Sequence, residues 1–224
     1  MKQSLVWLLI LLPCFLKAQE RKEDYTIYSR FLKIYQEKKT TKFCFVAEDS
    51  LGWEGTHFSD FINEFRENLE YYLQDDDSTP ASKRYLDDVS KELNAAHRID
   101  TAWIPLIDKL CQTLDVGFIL KNKFQHDLQI HVIHYDAEKY FIKNENSKPK
   151  YAYFKKSFHS KLPLLLIRFS QIVSDGSRAI FYFSTRCNCE SIEHEGQLVL
   201  FYRKNSKWKF LGTIGLWHTG GVEL

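Results

Sequence analysis

At 224 residues, 44% hydrophobic and 15% aromatic, the chain holds enough apolar material for a real core. Its stability therefore does not depend on disulfides. The 31 basic and 29 acidic residues nearly cancel, so no net field attracts nucleic acid or anionic lipid, and neither is an expected partner.

Met1 to Ser4 is short and basic, Leu5 to Leu16 is an almost unbroken apolar run, and Lys17-Ala18-Gln19-Glu20 returns to polar chain. Ala18 is the small residue a signal peptidase accepts. The run is too short and too poorly flanked for a membrane anchor, so it reads as a secretory signal. The expectation is a signal peptide over residues 1–18 and a single domain over 19–224. The product is exported, periplasmic or secreted, with no membrane span after cleavage. Cys14 raises a lipoprotein reading, but Pro13 precedes it and it lies inside the apolar run, and both argue against a lipid anchor. Cleavage removes Lys2 and Lys17 and leaves equal numbers of basic and acidic residues.

Tyr28, Phe31, Leu32 and Tyr35 form the stripe of an amphipathic helix over 24–38. Lys42 to Asp49 reads as a strand rich in Phe and Val. A second helix spans about 57–74 on Phe58, Phe61, Ile62, Phe65, Leu69 and Leu73, with Asp60, Glu64, Glu67 and Glu70 outside. Asp75-Asp76-Asp77-Ser78-Thr79-Pro80 breaks it. The three acids lack the Gly and the distant Glu of a calcium loop, and they read as a solvated linker. Helix resumes over 82–96 through Leu86, Val89 and Leu93. Another helix covers Trp103–Leu114, with Pro105 in its first turn.

Alternation from Leu128 to Tyr135 predicts a strand, and four more follow at Leu164–Val173, Arg178–Arg186, Gln197–Lys204 and Trp208–Trp217. Asp175-Gly176-Ser177 and Asn205-Ser206 are turn chemistry, so these neighbours pair antiparallel. Ala179, Phe181 and Phe183 alternate with Ile180 and Tyr182, which makes both faces apolar. The expected sheet has helices on one face and loops or a partner on the other. The fold class is α+β, with N-terminal helices packed on a C-terminal antiparallel β-meander.

Cys44, Cys111, Cys187 and Cys189 lie beyond the signal. An oxidising compartment permits bridges, and Cys44 with Cys187 or Cys189 is the favoured pairing, because two cysteines one residue apart strain the ring. Cys111 reads as a small buried hydrophobe.

Phe169-Ser170, Ser174-Asp175-Gly176 and Arg178 to Tyr182 carry a resemblance, continued by Gly196, Leu198 to Leu200, Lys204, Lys207 to Lys209 and Leu216-Trp217. This segment resembles a family of uncharacterised exported proteins of Gram-negative bacteria. Their shared pattern is a serine before the turn, an alanine starting the next strand, a Lys-x-x-x-Trp hairpin and a terminal tryptophan strand. The match is most specific over the last sixty or so residues; Tyr28 to Leu32, Leu120 to Asn122 and Tyr151 to Phe158 fit more loosely. The resemblance implies no activity, cofactor or catalytic residue. Cys187-Asn188-Cys189-Glu190 and Glu193-His194-Glu195 depart from the glycines that family members place around their paired cysteines.

Cys187, Cys189, Glu190, Glu193, His194 and Glu195 form the most reactive cluster, since all of these side chains ligate zinc. Cys-x-Cys is not structural-zinc spacing, and a disulfide or free thiols explain the cysteines as well. No metal or cofactor is assigned, and Cys187, Cys189 and His194 remain candidate ligands only. Of His126, His131 and His134, the last two are three apart on a strand and fall on opposite faces. Ser170 sits in apolar strand context outside any nucleophile motif, and Gly52 and Gly55 lack a phosphate-binding Lys-Ser or Lys-Thr. Carboxylates are many, but nothing pairs two of them for glycosidase chemistry.

The leading expectation is a non-enzymatic exported domain that binds a small molecule or an envelope protein. Trp53, Trp103 and Trp217 are candidate pocket lining, weighed against a plain core role. The alternative is a metal-assisted hydrolase or thiol enzyme using the Cys187–Glu195 loop. A third reading is a subunit of an envelope assembly with an exposed aromatic face.

Overall fold

A computed structural model describes residues 22–39, 44–47, 58–74, 79–91, 93, 99–114, 120, 124, 130–133, 165–187 and 194–219. In chain order these hold helix α1 (Lys22–Lys39), strand β1 (Cys44–Ala47) and helices α2 (Phe58–Gln74) and α3 (Pro80–Ser90). A 3-10 turn (Thr101–Trp103) then leads into α4 (Ile104–Leu114). Strands β2 (Ile130–Ile133), β3 (Leu165–Phe169), β4 (Val173–Ser174), β5 (Arg178–Cys187), β6 (His194–Lys204) and β7 (Lys207–Thr219) follow. The arrangement is α+β, helices first and an antiparallel C-terminal sheet last.

Local chemistry sets the helix ends. Glu23 and Asp24 lie in the first turn of α1, where carboxylates face the positive end of the helix dipole. Thr79 caps α3 by accepting a hydrogen bond from the Ser82 N–H at 3.2 Å, and Pro80 follows at a first-turn position. That helix stops at Ser90, short of the expected 96. Tight turns, with Lys91 N–H on Asp88 C=O and Leu93 N–H on Ser90 C=O, carry Leu93 back into the core. The helical spacing of Leu86, Val89 and Leu93 is thus met by a helix and a turn together.

The sheet order is β2-β1-β3-β5-β6-β7, with β4 also paired to β5. β1 lies parallel to β2 and β3, and the remaining pairs are antiparallel. Parallel neighbours cannot be joined by a hairpin. The chain between β1 and β2 therefore crosses over, and it carries α2, α3 and α4 to one face. The other face packs on α1. This corrects the expectation of helices on a single side. Ala179, Phe181, Phe183, Val199 and Phe201 join the α1 residues Tyr28, Phe31, Leu32 and Tyr35. Ile180, Tyr182, Leu198 and Leu200 join Ile62, Leu69, Trp103, Ile107 and Leu110 from the other helices.

Two irregularities on β7 preserve this division. Phe201 pairs with Phe210 and Leu200 with Gly212, so Leu211 is an extra residue. It switches the strand's even-numbered positions from the α1 face (Trp208, Phe210) to the opposite face (Ile214). A second extra residue, Leu216, separates the Gly196–Trp217 and Gln197–Gly215 pairs.

A third bulge lies between β3 and β4. Phe169 pairs with Phe183 and Val173 with Ile180, so one strand has an extra residue. There the Ser170 N–H bonds the Tyr182 carbonyl at 2.8 Å, while the Tyr182 N–H donates to the Ser170 hydroxyl at 2.8 Å. Ser170's own carbonyl is released from the ladder and accepts from the Tyr28 hydroxyl at 2.7 Å, in a buried contact. The Tyr28 ring stacks on Phe169 at 4.8 Å and meets Phe181 edge-on at 5.2 Å.

The β4–β5 turn is held by Asp175. Its carboxylate accepts from the Ser177 N–H at 2.7 Å, the Ser177 hydroxyl at 2.9 Å and the Arg178 N–H at 2.6 Å. Gly176 takes φ +93, open to glycine without strain. In the β6–β7 hairpin Asn205 and Ser206 adopt φ 52 and 59, the left-handed pair a two-residue turn needs.

Tyr28→Phe leaves the buried Ser170 carbonyl without its donor, and the expected loss is about 1–3 kcal/mol in urea unfolding. For Asp175, burial pushes the carboxyl up, but hydrogen bonds from Arg178 and Ser177 and the Arg178 charge outweigh it and hold the group below its usual range. A lowered folded value means that its stabilisation is full above the unfolded pKa of about 3.9 and fades as pH falls through the folded one. The urea-midpoint gap between wild type and Asp175→Asn is therefore expected to narrow below about pH 4. A gap constant with pH would show that the carboxylate charge contributes nothing.

Candidate functional site

β5 changes character along its length, from Ala179-Ile180-Phe181-Tyr182-Phe183 to Ser184-Thr185-Arg186-Cys187. Its polar end lies against Glu195, Gly196 and Gln197 of β6. On the α1 face, the Glu195 carboxylate accepts from Tyr35 (2.9 Å) and Thr185 (3.3 Å) on Oε1 and from Gln197 (3.0 Å) on Oε2. These bonds anchor α1 to the sheet two helical turns beyond Tyr28.

On the other face the indole N–H of Trp217 donates to the Tyr182 hydroxyl at 3.1 Å. Burial pushes the Tyr182 phenol well above its ordinary range, against the pull of hydrogen bonds with Trp217 and Ser184 and of nearby Arg168. The phenol therefore stays neutral. Gly196 lies directly under the indole, and a methyl group there would overlap Trp217 and the Tyr182 oxygen. That close approach is the reason for glycine.

β6 begins at His194, so His194 and Glu195 belong to a strand, not to the loop expected from sequence. Cys187 is the last residue of β5 and pairs with Leu165, and His194 pairs with Arg186 and Thr219. Cys189, Glu190 and Glu193 lie outside the described residues. Among the described residues no three His, Cys, Asp or Glu side chains gather as a metal-binding group.

The remaining candidates disperse. Phe45 pairs with Leu166 and Cys187 with Leu165, so β3 runs between Cys44 and Cys187. Two strand spacings separate them, about 9.5 Å, beyond the Cα reach of a disulfide at about 7 Å. The Cys44–Cys187 pairing does not fit this register. Cys111 is half-buried on α4. His131 lies in β2, and His126 and His134 fall outside the described residues, as do residues 1–18, Gly52, Trp53, Gly55 and Asp75 to Asp77. Ser170 Oγ, besides accepting from Tyr182, donates to the Gln171 carbonyl at 3.1 Å. Trp103 and Trp208 are core, with Arg178 over the first ring and Arg203 over the second.

The sequence reading missed the outer face of α2. Helical spacing places Phe61 in the core stripe, yet it is 39% exposed, resting one side against Trp217. Ile62, Phe65 and Leu69 form the buried stripe, and Phe61 is rotated about 100° from Ile62. Tyr71 is 65% exposed. It meets Tyr72 edge-on at 5.1 Å, and Tyr72 stacks on Tyr85 of α3 at 4.3 Å. Burial pushes the Tyr85 phenol up to about 12, with Tyr72 and Glu64 adding to the shift. Asp60, Glu64, Glu67 and Tyr71, spaced i, i+4, i+7 and i+11, share one exposed line. Arg66, the one basic residue of α2, is drawn away to Glu70 at 2.6 Å and to Asp108 of α4 at 2.8 Å.

Gly196→Ala is expected to cost about 1–3 kcal/mol through overpacking. Gly215→Ala, where an added methyl meets nothing within 4 Å, is expected to be neutral or to gain up to about 1 kcal/mol. Equal urea midpoints for the two variants would show that the indole moves aside freely.

Comparison with known proteins finds no family model, no curated protein and no solved structure that matches this chain.

Proposed function

We propose that this protein is exported and works by binding a partner protein of the envelope or its surroundings, through the outer face of α2. The observation that carries this reading is the placement of Phe61 and Tyr71. They are the two exposed large hydrophobic residues among those described, and both belong to one helix. A tyrosine held by its aromatic neighbours loses little side-chain freedom on binding, which is why such residues anchor interfaces. Export rests on the basic start, apolar run and small residue of residues 1–18.

The reading is tested by placing a photo-crosslinking side chain at position 67 or 71 in the exported protein, and at exposed Arg30 or Lys33 of α1 as controls. A discrete adduct from the α2 positions alone is expected. The intact mass of the recovered chain is expected to lack residues 1–18. Adducts only from α1, or none from α2, would overturn the choice of surface, and a full-length intracellular chain would overturn export.

A further inference from the structure

We propose that the outer face of α2 receives a cationic segment of that partner, one presenting Lys or Arg side chains along Glu64 and Glu67 toward Tyr71. This inference rests on the binding reading above and adds the chemistry of the partner. The exposed line has an aromatic anchor at one end and carboxylates along the rest, and its charges all have one sign. Glu64 lies four residues after Asp60 and three before Glu67, spacings at which like charges repel across a helix surface. Arg66 offsets them only in part, because its guanidinium pairs with Glu70 and Asp108 and its attraction to Glu67 is the weakest of its carboxylate interactions. The last turn of α2 contains no basic residue, so the negative end of the helix dipole adds to the same field.

Tyr71 stands at that negative end. Its edge-on contact with Tyr72 fixes a ring that is 65% exposed, a surface suited to an ammonium or guanidinium group. A cation bound along this line would relieve the carboxylate repulsion and meet the ring in one movement. An anionic lipid surface or a nucleic acid would be repelled by the same charges.

The test titrates the purified exported protein with two synthetic helical peptides on an alanine background. One carries Lys at i, i+4, i+7 and i+11, and the other carries Glu at the same places. Fluorescence anisotropy is read at low salt and again near 0.5 M salt, where screening shortens the reach of exposed charges to a few ångströms. The Lys peptide is expected to bind, and the Glu peptide is not. Affinity is expected to fall at least about tenfold in the double variant Glu64→Lys/Glu67→Lys, about tenfold in Tyr71→Ala, and steeply with salt. Lys33→Glu on α1 is expected to leave binding to this face intact. Circular dichroism and urea midpoints confirm that each variant is folded. Equal affinity for the folded double variant, or for the Glu peptide, would overturn the proposal. If the Lys peptide fails to bind while the α2 crosslinks persist, the cationic partner is overturned and the binding surface stands. Loss of the crosslinks themselves would overturn both.

Discussion

The contact between Tyr28 and the Ser170 carbonyl is the junction on which the α1 layer depends. A bulge in a buried strand frees backbone groups that cannot reach water, and each must find a partner or destabilise the fold. Here the Ser170 hydroxyl stands in for the missing ladder acceptor and takes the Tyr182 N–H, while the displaced carbonyl takes the Tyr28 hydroxyl. One serine therefore satisfies the strand and also fixes the helix. With Tyr28 pinned, Phe31 follows one turn later and sits among Phe169, Phe181 and Phe183 at ring separations of 6.1, 5.5 and 4.8 Å. These are edge contacts that apolar burial alone would not orient.

The same helix reaches a second polar anchor at Glu195 through Tyr35. This changes the meaning of an acid that looks like a loop ligand. Its two oxygens face Tyr35, Thr185 and Gln197, so it joins the α1 layer to the end of the sheet where β5 turns polar. On the far side Gly196 admits the Trp217 indole to the Tyr182 hydroxyl. The conspicuous end of β5 and β6 thus has architectural work on both faces.

With the sheet enclosed on both sides, the surface chemistry shifts outward to the helices. α2 packs inward through Ile62, Phe65 and Leu69, and its one basic residue braces α4 through Asp108. What remains outside is a line of acids ending in a tyrosine, with Phe61 to one side. The external face of the helix is a by-product of how its internal face is built.

The sequence by itself determined the element types and much of their order. Periodicity marks α1, α2 and α4 and the strands of the meander. The turn residues Asp175-Gly176-Ser177 and Asn205-Ser206 mark its reversals, and alternation correctly splits Ala179, Phe181 and Phe183 from Ile180 and Tyr182. These features are local, decided by residues a few positions apart. The tertiary structure alone decided that both sheet faces carry helices, that β1 and β2 join the sheet in parallel, and that His194 and Glu195 are strand residues. It also decided that Phe61 and Tyr71 stay outside. Each of those depends on segments far apart in the chain, as with Tyr28 and Ser170 or Tyr35 and Glu195, separated by 142 and 160 positions. A repeat of two or of 3.6 residues says which side of an element is apolar, and only the packing says what that side will meet.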